Sequence, residues 1–348
     1  MNGLAVCAAL FLLLFAVAAP DAPRESEPAW LSDDPYFVPV DMSLADDGFH
    51  DGWPVHAETW YFEALFDGGS NMSMVFIVSL LSLPDGCTGV AMAGLHLYQD
   101  GRLAALERVM TTSYTAASDR PRITLQGETV IEGTVNEAGN LCYRIDFQRN
   151  DSGVALQFVN QTRGWMGDLG RGWWLAVPEL GVTGTVTVDG ATAAVTGTGY
   201  HDHNVFSLLS PLLEQGYLDG KMTAEHFSLV WGHIMESRTR THSFAVVSEH
   251  GDYLALGPDA VDISFSSYVW DNGSRIPTVC TIIVHDEADG LAGRIWMNAT
   301  AVHHIRLPLL RYWRLHVDVE GWLSSPSHHA AIGEQGMMEY MRYPEKTA

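Results

Sequence analysis

From about residue 53 onward, short β-prone runs rich in Val, Thr, Ile and aromatic residues are broken by tight-turn pairs. The pairs are Asp67-Gly68, Asp100-Gly101, Ala138-Gly139, Asp189-Gly190, His250-Gly251, Asn272-Gly273 and Asp289-Gly290. Asp-Gly and Asn-Gly reach the positive φ angles of two-residue hairpins at little steric cost. Thr185 to Val188, the turn at Asp189-Gly190, and Ala191 to Val195 make the clearest hairpin. Helical periodicity is nearly absent, and short helices are expected only over 207–219 and 101–108. The pattern predicts an all-β protein of antiparallel barrels or sandwiches.

The two ends of the pattern differ from this texture. Residues 1–18 read as a secretory signal peptide, with Leu10 to Phe15 at its apolar centre and Ala16-Val17-Ala18 as a small-residue cleavage site. An uncleaved N-terminal anchor is the runner-up, because the first basic residue is Arg24 and the positive leader region is missing. Residues 19–50 form an irregular lead-in rich in Pro, Asp and Ser. A β domain over 51–206 and a second over 207–348 follow, with the boundary drawn after Phe206. His56 to Phe62 and Glu225 to Gly232 echo one another near the openings of these blocks.

Composition narrows the setting. Five asparagine sequons, at Asn71, Asn150, Asn160, Asn272 and Asn298, agree with export to an extracellular or cell-surface location. Cys87, Cys142 and Cys280 remain after the leader, so at most one intramolecular disulfide is available. The net charge of −23, with lysine only at Lys221 and Lys346, excludes nucleic acid as a partner.

The densest chemistry lies in Gly197-Thr198-Gly199-Tyr200-His201-Asp202-His203-Asn204. In a strand, Tyr200, Asp202 and Asn204 share one face, and His201 and His203 share the other. A phenol and a carboxyl aimed into one pocket form an acid pair; the bland alternative is a polar strand end. His56, Glu58, Trp60 and Phe62 likewise share a face, as site residues or as the hydrogen-bonded plug of a barrel. Arg163-Gly164-Trp165 and Arg171-Gly172-Trp173-Trp174 are either pocket lining or core with cation–π packing. Trp174 precedes the hairpin that delivers Tyr200, which allows a Trp–Tyr–Asp grouping. No metal motif, nucleophile elbow, phosphate loop or dinucleotide fingerprint is present. His201 and His203, helped by His226 or His233, would be the best metal ligands, and no metal is expected.

Glu58-Thr59-Trp60-Tyr61-Phe62 resembles the Glu-Trp-Trp-Tyr signature of the carotenoid 1,2-hydratase and AttH-like superfamily. Gly199 to Asn204 is similar to that family's most distinctive motif, Leu229 to Gly232 to the next, and Gly333 to Tyr340 to its C-terminal one. The resemblance spans roughly residues 50–345. It implies two tandem lipocalin-like (calycin-type) β-barrel domains with an apolar ligand site at their junction. It also implies acid catalysis without a cofactor, with Tyr200 and Asp202 catalytic. Trp174, Trp60, Glu58, Asn204, Trp231 and His203 are expected around the ligand. Gly172 stands where the hydratases carry a histidine two positions before the tryptophan, and Thr59 where a second tryptophan is usual. Two functions follow: acid-catalysed hydration or cyclisation of a lipid-like or isoprenoid alkene, or non-catalytic carriage of such a molecule. The expected partner is therefore an apolar small molecule or lipid, with at most a loose membrane association.

Overall fold

A computed structural model describes residues 37–50, 56–68, 71–82, 89–169, 172–207, 214–236, 240–307 and 310–343. The expected signal peptide, Cys87 and Arg171 lie outside these residues. The described residues form two antiparallel sheets and no helix. In chain order the first holds β1 (Val40–Asp41), β2 (His56–Phe66), β3 (Met72–Ser82), β4 (Gly89–Gln99), β5 (Arg102–Thr111), β6 (Tyr114–Ala116), β7 (Arg122–Leu125), β8 (Glu128–Val135), β9 (Leu141–Arg149), β10 (Ser152–Asn160), β11 (Trp165–Asp168), β12 (Gly172–Val188) and β13 (Ala191–Ser207). The second holds β14 (Gly216–Thr223), β15 (Phe227–Met235), β16 (Thr241–Glu249), β17 (Asp252–Leu256), β18 (Val261–Asp271), β19 (Ser274–Asp286), β20 (Leu291–Leu307), β21 (Leu310–Ser324) and β22 (His329–Arg342).

Apart from the two-residue β1, which pairs with β11, each sheet is largely an up-and-down meander whose last strand returns to its first long one. β13 pairs with β2, and β22 pairs with β14. The free edges are β5 and β6 in the first sheet, β17 and β18 in the second. The two sheets form β domains of the lipocalin-like, barrel-like kind, arranged in tandem. Each encloses its own core, around Phe62, Phe76, Tyr143 and Phe158 in the first and around Trp231, Trp313, Ile295 and Met297 in the second.

The turn pairs do what their chemistry allows. Asp100-Gly101, Asp189-Gly190, His250-Gly251 and Asn272-Gly273 each join two strands with positive φ at both residues. Neither expected helix forms among the described residues. Residues 102–111 are the edge strand β5, and 216–223 are β14, whose alternating buried and half-buried residues follow the period of two a strand imposes. Cys142 and Cys280 are buried free thiols, one in each barrel.

A third apolar cluster belongs to neither interior. Tyr61, Val75, Trp165, Trp174, Ala176 and Tyr200 from the first barrel meet Val230, Phe244, Val246 and Met337 from the second, with Phe37 among them. The outward faces of the two barrels pack on each other through these residues.

Candidate functional site at the barrel junction

β13 sets the site. Within it, Gly197 and Gly199 precede Tyr200, where the backbone runs tight against its neighbours. A Cβ on Gly197 would lie 2.1 Å from the Leu65 carbonyl oxygen, and one on Gly199 would lie 2.6–2.8 Å from Val182 and Phe158. The register of β12 against β13 shifts between Val177 and Leu180, at Pro178, leaving Tyr200 opposite the irregularity. Beyond it, Ala176 faces Asp202 and Trp174 faces Asn204, while on the other side Tyr61 faces Asp202 and Glu63 faces Tyr200. Alternation therefore places Tyr200, Asp202, Asn204, Trp174, Tyr61 and Glu63 on the outward face, toward the second barrel.

The second barrel answers with charge. Lys221 pairs with Glu63 and lies 4.5 Å from the Tyr200 ring centroid and 5.1 Å from that of Tyr61. Tyr61 donates to Glu63 Oε2 at 2.8 Å. Arg314, fully buried, holds Glu339 at 3.1 Å and bonds the Tyr98 hydroxyl at 3.0 Å and His96 Nδ1 at 3.1 Å across the junction. Four carboxyls thus share the site with two cations. The cations are taken by Glu63 and Glu339, and Asp202 and Asp219 have no ion-pair partner among the described residues.

Burial, and next the Glu339 charge, push the Asp202 carboxyl up to about 8, against the opposing pull of Lys221 and a Tyr200 hydrogen bond. Asp219 is raised well above the carboxylate range by burial and by Glu339 and Asp202. Asn204 Nδ2 donates to Asp202 Oδ1 at 2.7 Å. The Tyr200 phenol is held well above its ordinary value by burial and by Asp202. At neutral pH Asp202 is accordingly a neutral acid, oriented by an amide and a phenol and flanked by aromatic rings. The indole NH of Trp174, the residue opposite Asn204, is buried with no hydrogen-bond partner among the described residues.

The structure divides the expected site residues. Tyr200, Asp202, Asn204 and Trp174 stand together at the junction. Glu58, Trp60 and His203 point the other way, into the end of the first barrel. There His203 stacks on Trp60 at 4.1 Å and contacts Glu58 Oε1 at 3.0 Å. His201 stacks on Phe62 at 4.0 Å and contacts Asp47 Oδ2 at 2.9 Å. His50 Nδ1 lies 2.6 Å from Glu58. This is a buried girdle of carboxylates and imidazoles that closes the barrel end. Trp231 is buried in the core of the second barrel, over Gly220, so it too is absent from the junction. His201 and His203 do not meet His226 or His233; their ring nitrogens are already turned to Asp47, Glu58 and the Tyr61 carbonyl.

Two features escaped the pattern. The lead-in is not merely irregular: Asp47 is fully buried, its carbonyl accepts the Trp60 indole NH at 2.9 Å, and Phe37 stacks on Phe244 at 5.0 Å. Glu63, Asp219, Lys221, Arg314 and Glu339 also join the site; a trace of them exists in the rarity of lysine and in the C-terminal motif that carries Glu339. Gly172 cannot be the missing histidine, since its Cβ would lie 2.0 Å from the Val205 carbonyl oxygen. Two cavities, of about 510 and 260 Å³, lie elsewhere, beside Gln99 to Ala104 and beside Asn272, His304, Arg306 and Leu310.

Fold and junction together define a tandem lipocalin-like β-barrel protein. Among solved structures it is similar to an AttH-like protein from Nitrosomonas europaea, with a TM-score of 0.65 at 14% identity over 94% of this chain and 100% of that one. Kievitone hydratase from Nectria haematococca gives 0.55 at 10% identity over 87% and 93% of the two chains. CghA with Sch210972 gives 0.52 at 11% identity over 90% and 100%. No family model matches the chain, and no curated protein matches it by sequence. The likenesses establish the fold expected from the superfamily resemblance.

Proposed function

We propose that this protein is an acid catalyst that hydrates or cyclises an alkene of an apolar, isoprenoid- or lipid-like molecule at the barrel junction, without a cofactor. The observation that carries the reading is the setting of Asp202: a buried carboxyl with no ion-pair partner among the described residues, hydrogen-bonded by Asn204 and Tyr200 and facing aromatic surface. The Asp202 proton passes to one alkene carbon, and the neighbouring carbon becomes a cation sheltered by ring faces such as Trp174. In hydration, water adds to that cation and loses a proton, which restores the carboxyl. In cyclisation a second double bond of the substrate attacks instead, and a proton lost from the product cation restores Asp202. A dry, apolar setting keeps the acid protonated between turnovers. Among proteins of this fold, one carries the name hydratase.

A second reading, a carrier that uses the same aromatic surface without chemistry, is favoured by Gly172, where the backbone leaves no room for the histidine of the hydratases. We propose, with either reading, that the protein acts outside the cell, as its apolar leader and five sequons suggest. The asparagines of three sequons, Asn71, Asn150 and Asn272, are exposed at turns with positive φ, which suits glycan attachment.

The test begins with organic extraction and mass spectrometry of the purified chain to identify a co-purifying apolar molecule. That molecule, or a panel of isoprenoid alkenes, is then incubated with the protein in ¹⁸O-labelled water. The enzyme reading expects an ¹⁸O-alcohol or a cyclised isomer, with turnover lost by at least ~100-fold in Asp202→Asn while the melting temperature holds. Bound molecules returned unchanged, or full turnover by Asp202→Asn, would overturn it.

A further inference from the structure

Three histidines on three different turns of the second barrel converge, away from the junction. His226 lies between β14 and β15, His250 between β16 and β17, and His328 between β21 and β22. One ring nitrogen from each falls within 4.8 Å of the other two. His250 Nε2 and His328 Nε2 are 3.0 Å apart, and the His226 centroid lies 4.9 Å from that of His250 and 4.5 Å from that of His328. Nitrogens bound at 2.0–2.1 Å to a tetrahedral zinc ion lie roughly 3.3 Å apart, so only small ring movements separate this arrangement from a coordinated one.

We propose that His226, His250 and His328 form a binding site for a borderline divalent transition metal, zinc in the first place. The surroundings of His328 support it independently. Its Nδ1 lies 2.6 Å from Glu249 Oε1, which leaves Nε2 to point at the other two rings. A carboxylate on the far nitrogen of a ligating imidazole is the usual device for fixing its tautomer and raising its basicity. Glu249 is fixed in turn by the Ser325 hydroxyl at 2.7 Å, and that Ser325 oxygen accepts the backbone NH groups of Ser327 and His328 at 3.1 Å each.

The site is three imidazoles, two half-buried and that of His250 exposed, a donor set suited to zinc, copper or nickel and poorly suited to calcium or magnesium. Ten residues of β22, His329 to Met338, separate His328 from Glu339, on the order of 30 Å of strand, so the site is separate from the acid at the junction. Bound metal would tie three turns of the barrel mouth together.

The experiment uses the full chain without a histidine tag, stripped with a chelator and titrated calorimetrically with zinc chloride near neutral pH. The expected result is one zinc per chain with a micromolar or tighter Kd. His250→Ala and His328→Ala should each weaken binding at least ~100-fold, and Glu249→Gln about 10-fold, with the metal-free melting temperature unchanged. His285→Ala, an exposed histidine elsewhere, serves as the control and should bind like the wild type. Cobalt substitution should give the visible bands of a tetrahedral site. Failure to bind zinc, or equal binding by the His250 and His328 variants, would overturn the assignment.

Discussion

Asp202 and Asp47 are both buried aspartates, and their surroundings drive them in opposite directions. Asp47 faces imidazoles: burial raises its carboxyl, but contacts with His201 and His203 outweigh that and bring it to about 2. Asp202 faces further carboxyls, so burial and repulsion act together. The sign for Asp47 follows from linkage. A carboxyl at about 2 in the fold and about 3.9 in the unfolded chain stabilises above pH 4, and that stability is lost as the pH falls through 2. Its worth is on the order of 2–3 kcal/mol. Asp47→Asn should therefore lower the denaturant midpoint at pH 6 to 7, with the gap to wild type closing toward pH 2. A constant gap across that range would contradict the role given to the girdle.

At the scale of elements, the segment Phe37 to Asp41 binds the two barrels as a strap. β1 pairs with β11, Asp41 accepts from Arg163 at 2.5 Å in the first barrel and from the Tyr253 hydroxyl at 2.7 Å in the second, and Phe37 fills the space over Gly167. Phe37→Ala should cost about 3–5 kcal/mol if the slot cannot collapse, read as a loss of melting temperature and faster proteolysis near Asp41. A loss below 1 kcal/mol would mean that the strap is dispensable. This element shows where sequence pattern fails. The period of two in β13 was enough to sort Tyr200, Asp202 and Asn204 from His201 and His203, and the Asp-Gly and Asn-Gly turns gave the meander. Phe37 and Asp47 sit in a stretch with no period, and only the tertiary fold makes them core. Residues 101–108 likewise looked helical because both faces of the edge strand β5 carry Leu and Ala, so the alternation that marks a half-buried strand is blurred.

At the scale of the whole molecule, neither barrel alone makes the site. Asp202 and Tyr200 come from the first, Asp219, Lys221, Arg314 and Glu339 from the second, and local pattern cannot reveal a pairing between strands more than a hundred residues apart. Glu339 lies in the stretch that resembles the C-terminal superfamily motif, but nothing in the sequence set it beside Asp202. The docking of the barrels removes water from Asp202 and brings Glu339 near, and those two effects are what keep it protonated. The most direct measurement is carbon NMR of the protein labelled at the aspartate Cγ, compared with Asp202→Asn, from about pH 5 to about pH 10. The account predicts one resonance, absent from the variant, that titrates near pH 8. A resonance assigned to Asp202 that has already titrated below pH 5 would mean a carboxylate at the junction, and the acid proposed for this protein would not exist.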